Sequence, residues 1–162
     1  MDFADLHQQY YKGITFDLDR MFCSDYDAEY TLKQDAFTRV VFDLNLNFSV
    51  EVFDAGEAET IQYVFDEETD PLNAVHDNYV IKRLESLEQP VASVKKELPE
   101  EIGHKGFIQT IHGTESSYED DASYFTATIE YKDNYYVFQM IGKRENLGYL
   151  YDDFLDILRS VQ

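Results

Sequence analysis

Ser123-Tyr124-Phe125-Thr126-Ala127-Thr128-Ile129-Glu130-Tyr131 and Tyr135-Tyr136-Val137-Phe138-Gln139-Met140-Ile141 are two aromatic-rich stretches of strand period on either side of a tight break. Asp133-Asn134 between them tolerates the positive φ of a type I′ turn, so the pair reads as an antiparallel hairpin. With that turn Tyr131 falls opposite Tyr136, Ile129 opposite Phe138 and Ala127 opposite Met140. One face is then apolar along both strands, while Thr128, Glu130 and Gln139 share the other.

The hairpin runs into a helical pattern. Leu150, Phe154, Ile157, Leu158 and Val161 recur at i, i+4, i+7, i+8 and i+11, and predict a C-terminal helix over about 149–161 with one face buried. Asp152 and Asp153 near its start and Arg159 near its end follow the order the helix dipole favours. Burial of those five side chains contributes on the order of 10 kcal/mol as an upper bound, enough to predict that the helix lies on the sheet.

Working back along the chain, Asp70-Pro71 reads as an N-cap followed by proline at the first helical position. The stripe Leu72, Val75, Tyr79, Val80, Leu84 and Leu87 then predicts a long helix over about 71–88, ending before Pro90. Ile14, Phe16 and Leu18 alternate with polar residues and predict a strand. Phe3, Leu6 and Tyr10 at helical spacing, ended by Gly13, predict a short opening helix, and Arg20 to Asp35 reads as loop with room for a short strand.

Val40, Phe42, Leu44, Leu46, Phe48, Val50 and Val52 keep one parity without a phase slip, which favours one long or bent strand over two joined near Asn45 to Asn47. Asp54-Ala55-Gly56-Glu57 reads as a turn, and Ile61, Tyr63 and Phe65 as the next strand. Val91 to Leu98 and Phe107 to His112 predict further β segments, and Gly113 to Asp121 a polar loop. The order predicts an α+β fold: a single domain, residues 1–162, with a mainly antiparallel sheet of about six to seven strands flanked by the two helices.

At 162 residues, 44 % hydrophobic, with 13 tyrosines and 12 phenylalanines, the chain can bury a real core without metals or disulfides. Its one cysteine, Cys23, excludes an intrachain disulfide. A formal charge of −20 makes nucleic-acid backbones and anionic membranes poor partners; it suits a basic partner, and equally it suits solubility alone. No stretch approaches the roughly 18 apolar residues of a membrane span, and Met1-Asp2-Phe3-Ala4-Asp5 lacks the basic start of a leader. The expectation is a cytoplasmic protein; the alternative is an extracytoplasmic domain whose leader has been removed.

Catalytic patterns are absent: no GxSxG, Walker loop or GxGxxG, and no histidine beside Cys23 or Ser24. His7, His76, His104 and His112 have no metal-ligand spacing and read as surface or loop residues. Asp25-Tyr26-Asp27-Ala28-Glu29 opens like a calcium loop, but Tyr30 and Ala36 stand where such a loop needs Gly and Glu. No metal and no cofactor are expected. Asp66-Glu67-Glu68-Thr69-Asp70 and Glu115 to Asp121 are the densest acidic loops.

The order of elements resembles the PsbP-like α/β/α sandwich. The likeness is carried by Tyr124 to Tyr131, Tyr135 to Met140, the closing Phe154-Leu155-Asp156-Ile157-Leu158-Arg159-Ser160-Val161 with its Ser-apolar end, and the early strand Gly13 to Leu18. Asp19-Arg20-Met21-Phe22 stands where many bacterial members have Pro and Trp. That superfamily includes an extrinsic photosystem subunit, a nuclear Ran-binding factor and many small bacterial proteins, so the resemblance implies partner binding and no catalytic residues.

These readings predict a non-catalytic, acidic protein-binding domain, in its sharpest form a bacterial immunity protein or effector chaperone that engages a basic protein. The predicted contact residues are Glu115, Tyr118, Glu119, Asp120 and Asp121. The rival is an enzyme or small-ligand carrier with a pocket between the sheet and the helix that starts at Asp70.

Overall fold

The computed structural model describes residues 6–22, 24–25, 31–65, 67–114 and 121–162. The predicted hairpin is its centre: β9 (Asp121–Tyr131) and β10 (Asn134–Lys143) pair antiparallel along their whole length. Their turn is Lys132-Asp133, with φ of 49° and 65°, and not the expected Asp133-Asn134. Asn134 is opposite Tyr131, so Tyr136 meets Ile129, Phe138 meets Ala127 and Met140 meets Phe125. The register differs from the expected one by two residues, a shift that leaves each side chain on its predicted face.

Around this pair the sheet runs β3 (Ser24–Asp25), β4 (Phe37–Val41), β5 (Leu46–Phe53), β10, β9, β8 (Lys105–Thr114) and β6 (Glu88–Ala92). The two-residue β7 (Lys96–Glu97) also pairs with β8, and every pairing is antiparallel. The predicted mainly antiparallel α+β plan is present. Gly106 permits the close approach of β8 to β9, since a Cβ there would lie 2.0 Å from the Thr128 carbonyl oxygen.

Three segments differ from expectation. Residues 6–11 are strand β1 (Leu6–Tyr11), paired with β2 (Ile14–Asp19), and no helix spans them. Gly13, at φ 94°, sits in the hairpin turn beside Lys12; the left-handed glycine that ends a helix serves equally well in a turn. Phe3 lies outside the described residues.

Residues 37–53 form two strands. A 3-10 turn at Phe42–Leu44 and a left-handed Asn45 reverse the chain, and Val41 pairs with Leu46. Finally, Ile61, Tyr63 and Phe65 lie on helix α1 (Ala55–Phe65). Asp54-Ala55-Gly56-Glu57 is its capping box: Glu57 N donates to Asp54 Oδ1 at 2.8 Å, and Asp54 N to Glu57 Oε1 at 3.2 Å.

Helix α2 (Pro71–Glu85) begins as predicted, with Asp70 accepting from Asn73 N, and ends at Glu85. The short α3 (Arg144–Leu147) precedes α4 (Tyr151–Arg159). α1 and α2 cover one face of the sheet; α4 and the β1–β2 hairpin cover the other. On that second face Phe16, Phe37, Phe48 and Phe138 pack with ring centroids 5.2–6.3 Å apart, and the α4 residues Phe154, Ile157 and Leu158 complete the core.

The end of the chain is stitched into β2. Thr15 and Gln162 exchange backbone hydrogen bonds of 2.9 Å, and Ser160 Oγ accepts from Asp17 N at 2.8 Å. No helix among the described residues is long and apolar enough to cross a membrane.

Candidate binding surface

The sheet face beneath α2 carries a polar band. Register aligns Ser49, Gln139, Thr126 and Gln109 in one row across four strands, with Glu51, Val137, Thr128 and Phe107 in the next. Ser49, Glu51, Gln139, Thr126 and Thr128 are buried because α2 lays His76, Tyr79 and Arg83 over them.

Hydrogen bonds within the protein tie most of the band together, while the buried Ser49 hydroxyl makes none among the described residues. Glu51 Oε1 accepts from Leu32 N at 2.7 Å and Lys33 N at 2.9 Å, and its other oxygen accepts from the Tyr79 hydroxyl. Gln139 accepts from Arg83 Nη2 at 3.1 Å and donates to Thr126 Oγ1 at 3.0 Å. Gln109 donates its amide to Ser93 O at 2.9 Å, which turns its oxygen to His76 Nε2 at 2.9 Å. His76 therefore carries its proton on Nε2 and accepts from the Thr128 hydroxyl at Nδ1, 2.8 Å away.

Burial sets the titration of these groups. It raises the Glu51 carboxyl above the usual carboxylate range against the opposing pull of Tyr79, the Leu32 and Lys33 amides and Arg83. It lowers the His76 imidazole to about 4 and, with the Glu51 charge, holds the Tyr79 phenol well above its ordinary value. The expected surface or loop role for the histidines fails at His76, which is fully buried. Glu51 and His76 converge on the interface where the rival reading placed a pocket, and their polar atoms are engaged by the protein itself.

Of the predicted contact residues, Glu115, Tyr118, Glu119 and Asp120 lie outside the described residues. Asp121 opens β9 opposite Thr114, whose hydroxyl is 3.4 Å from its Oδ1, while Arg144 Nη1 lies 3.9 Å from Oδ2. Beside it is a cleft of about 150 Å³, walled by Gln89 and Val91 of β6, His112 and Thr114 of β8, and Arg144 of α3. His112 Nδ1 is 2.6 Å from Ser123 Oγ; burial and the Arg144 charge lower its pKa against the opposing Asp121.

Sequence reasoning missed Gln89, His112 and Arg144 as neighbours of Asp121. The signal lies in register: Asp121 opposite Thr114 and Lys143 opposite Ala122 bring the ends of three strands together. A second recess, of about 430 Å³, is lined by His7 and Gln9 of β1, Asp19, Arg20, Phe22 and Arg39 of β4. Among the described residues no group of three or more His, Cys, Asp or Glu side chains is arranged to hold a metal.

Many cations are bound to the protein's own acids. Lys12 pairs with Asp35, Lys33 with Glu57 at 2.6 Å, Lys95 with Asp77 at 3.0 Å, and Arg159 with Asp156 and, at 3.2 Å, Glu101. Arg83 is buried. On α1 Tyr63 and Val64 are 76 % and 78 % exposed, in a segment whose Glu59, Glu67 and Glu68 are also exposed.

Among solved structures, a Mog1 point mutant matches over 98 % of this chain and 96 % of its own, with a TM-score of 0.62 at 12 % identity. The Ran-binding protein Mog1p of Saccharomyces cerevisiae matches over 98 % and 95 %, with a TM-score of 0.60 at 11 % identity. The chain shares the Mog1 fold. The resemblance to the PsbP-like sandwich thus holds at the level of fold. No family model and no curated protein sequence matches the chain.

Proposed function

We propose that this domain binds, without catalysis, a protein that presents basic side chains. The observation that carries the reading is the charge balance: 33 acidic residues face 13 lysines and arginines, and many of those cations are tied to the domain's own acids or buried. A surface so unbalanced steers a basic partner by Coulomb attraction. The Mog1-like fold, found in a Ran-binding protein, supports protein binding over small-molecule chemistry. So does the band under α2, whose Glu51 and His76 already have hydrogen-bond partners within the protein.

The contact we assign to this task is the acidic segment of Glu115, Tyr118, Glu119, Asp120 and Asp121. In its sharpest form the protein is a cytoplasmic immunity protein or effector chaperone that neutralises a basic effector. Affinity capture from native lysate, followed by kinetics with the purified partner at about 0.05 M and about 0.5 M salt, tests the reading. The expected result is a saturable basic partner whose association rate falls about tenfold or more over that range. No saturable partner, or an acidic one that binds independently of salt, overturns it.

A further inference from the structure

We infer that the cleft beside Asp121 is the seat for a single lysine or arginine side chain of the partner, and that Arg144 occupies the Asp121 carboxylate until that side chain arrives. The inference rests on the reading of this domain as a binder of basic protein and assigns that reading a pocket. Three observations carry it: the shape of the cleft, the chemistry of its walls and the looseness of the internal pair.

The volume, about 150 Å³, equals roughly five waters at about 30 Å³ each. That is the scale of a guanidinium or ammonium head with its distal methylenes. The walls suit such a side chain: Val91, 62 % exposed, offers an apolar side for the stem, and Asp121 with the Thr114 hydroxyl and the Gln89 amide offers acceptors for the head. His112 adds no competing charge near neutral pH, since burial and Arg144 favour its neutral form.

The Arg144–Asp121 contact is built to exchange. At 3.9 Å it is a long ion pair, and the side chains are 60 % and 55 % exposed, so water already competes for both. A partner cation entering the cleft takes over the carboxylate and releases Arg144 to solvent. An anion would instead have to approach a chain of net charge −20 and displace Asp121 from Arg144, the one lysine or arginine among the described cleft residues.

The test is a titration of the full chain, followed by ¹⁵N–¹H amide shifts at low salt, with acetyl-Gly-Arg-Gly-amide and with its citrulline counterpart, which keeps the shape and removes the charge. Saturable shifts at Gly113, Thr114, Ala122 and Arg144 are expected with the arginine peptide alone. Asp121→Asn is expected to weaken binding about fivefold or more, and Arg144→Ala, which removes the internal competitor, to strengthen it. Opposite signs from two exposed positions separate this mechanism from a loss of folding, which thermal melts of both variants check independently.

Equal shifts with citrulline, perturbation of the same amides by phosphate, weaker binding in Arg144→Ala, or shifts spread over the acidic surface without saturation at the cleft would each overturn the inference. A basic partner that binds saturably and ignores Asp121→Asn overturns the cleft alone and leaves the partner-binding reading standing.

Discussion

Glu51 accepts three hydrogen bonds, from Leu32 N, Lys33 N and the Tyr79 hydroxyl, in a position with no solvent exposure. Because burial raises its folded pKa, its contribution to stability is complete below the unfolded value of 4.5 and is lost as pH rises through the folded value. His76 acts in the other direction. Its folded pKa is near 4 against 6.5 unfolded, so the unfolded chain takes up a proton the native state refuses, and stability falls as pH drops from about 6.5 to about 4. The full His76 effect is about 3 kcal/mol.

Urea denaturation across that range should show the acid loss, steeper in Glu51→Gln, which removes the opposing gain that the raised carboxyl makes as pH falls. Glutamine can still accept from the two amides while Tyr79 turns its hydroxyl toward Gln139, 3.5 Å away. Glu51→Ala should cost about 2 kcal/mol or more, since it takes the acceptor from the buried Tyr79 hydroxyl and from the Leu32 and Lys33 amides. Equal damage from both substitutions would mean that the network needs the carboxylate itself. Alternation in the sequence separates Asn47, Ser49 and Glu51 from Phe48 and Val50, but whether a polar face is wet depends on helices elsewhere in the chain. His76 was more accessible to reasoning, because Leu72, Val75, His76 and Tyr79 share one helical stripe.

Among the elements, the hairpin turn shows both the strength and the limit of pattern reading. Parity assigns faces, and a two-residue shift of register preserves parity, so the faces were legible and the turn residues were not. Lys132 occupies a positive φ that its side chain disfavours, and Asp133 one that aspartate tolerates less readily than glycine. Lys132→Asn with Asp133→Gly should therefore stabilise the domain by about 1 kcal/mol, read as a higher Tm; a lower one would show that the two native side chains stabilise the turn by other means.

The split between β4 and β5 was hidden for a related reason. Phe42 and Leu44 continue the apolar alternation through the turn itself, although Phe42 is 64 % exposed there. α1 was misread because its Asp54–Glu57 capping box looks like a turn until both reciprocal hydrogen bonds are recognised.

At the scale of the whole molecule, a net charge of −20 opposes compaction. Raising ionic strength from about 0.01 M to about 0.15 M shortens the Debye length from about 30 Å to about 8 Å, and should raise Tm. A falling Tm would mean that the surface ion pairs outweigh the repulsion. The layered plan was legible because a hairpin and two amphipathic helices constrain it strongly. The cleft was not, since it forms from the ends of β6, β8, β9 and α3, which only the completed register brings together.

The stitching of β2 to residues 160–162 also bears on the order in which the core can close during synthesis. Asp17 and Ser160 are 143 positions apart. At about 5–20 residues per second, the ribosome needs roughly 7–30 s to deliver the second after the first. Throughout that interval Phe16 and Leu18 lack the α4 surface that later covers them, so the nascent chain carries uncovered apolar surface until α4 emerges.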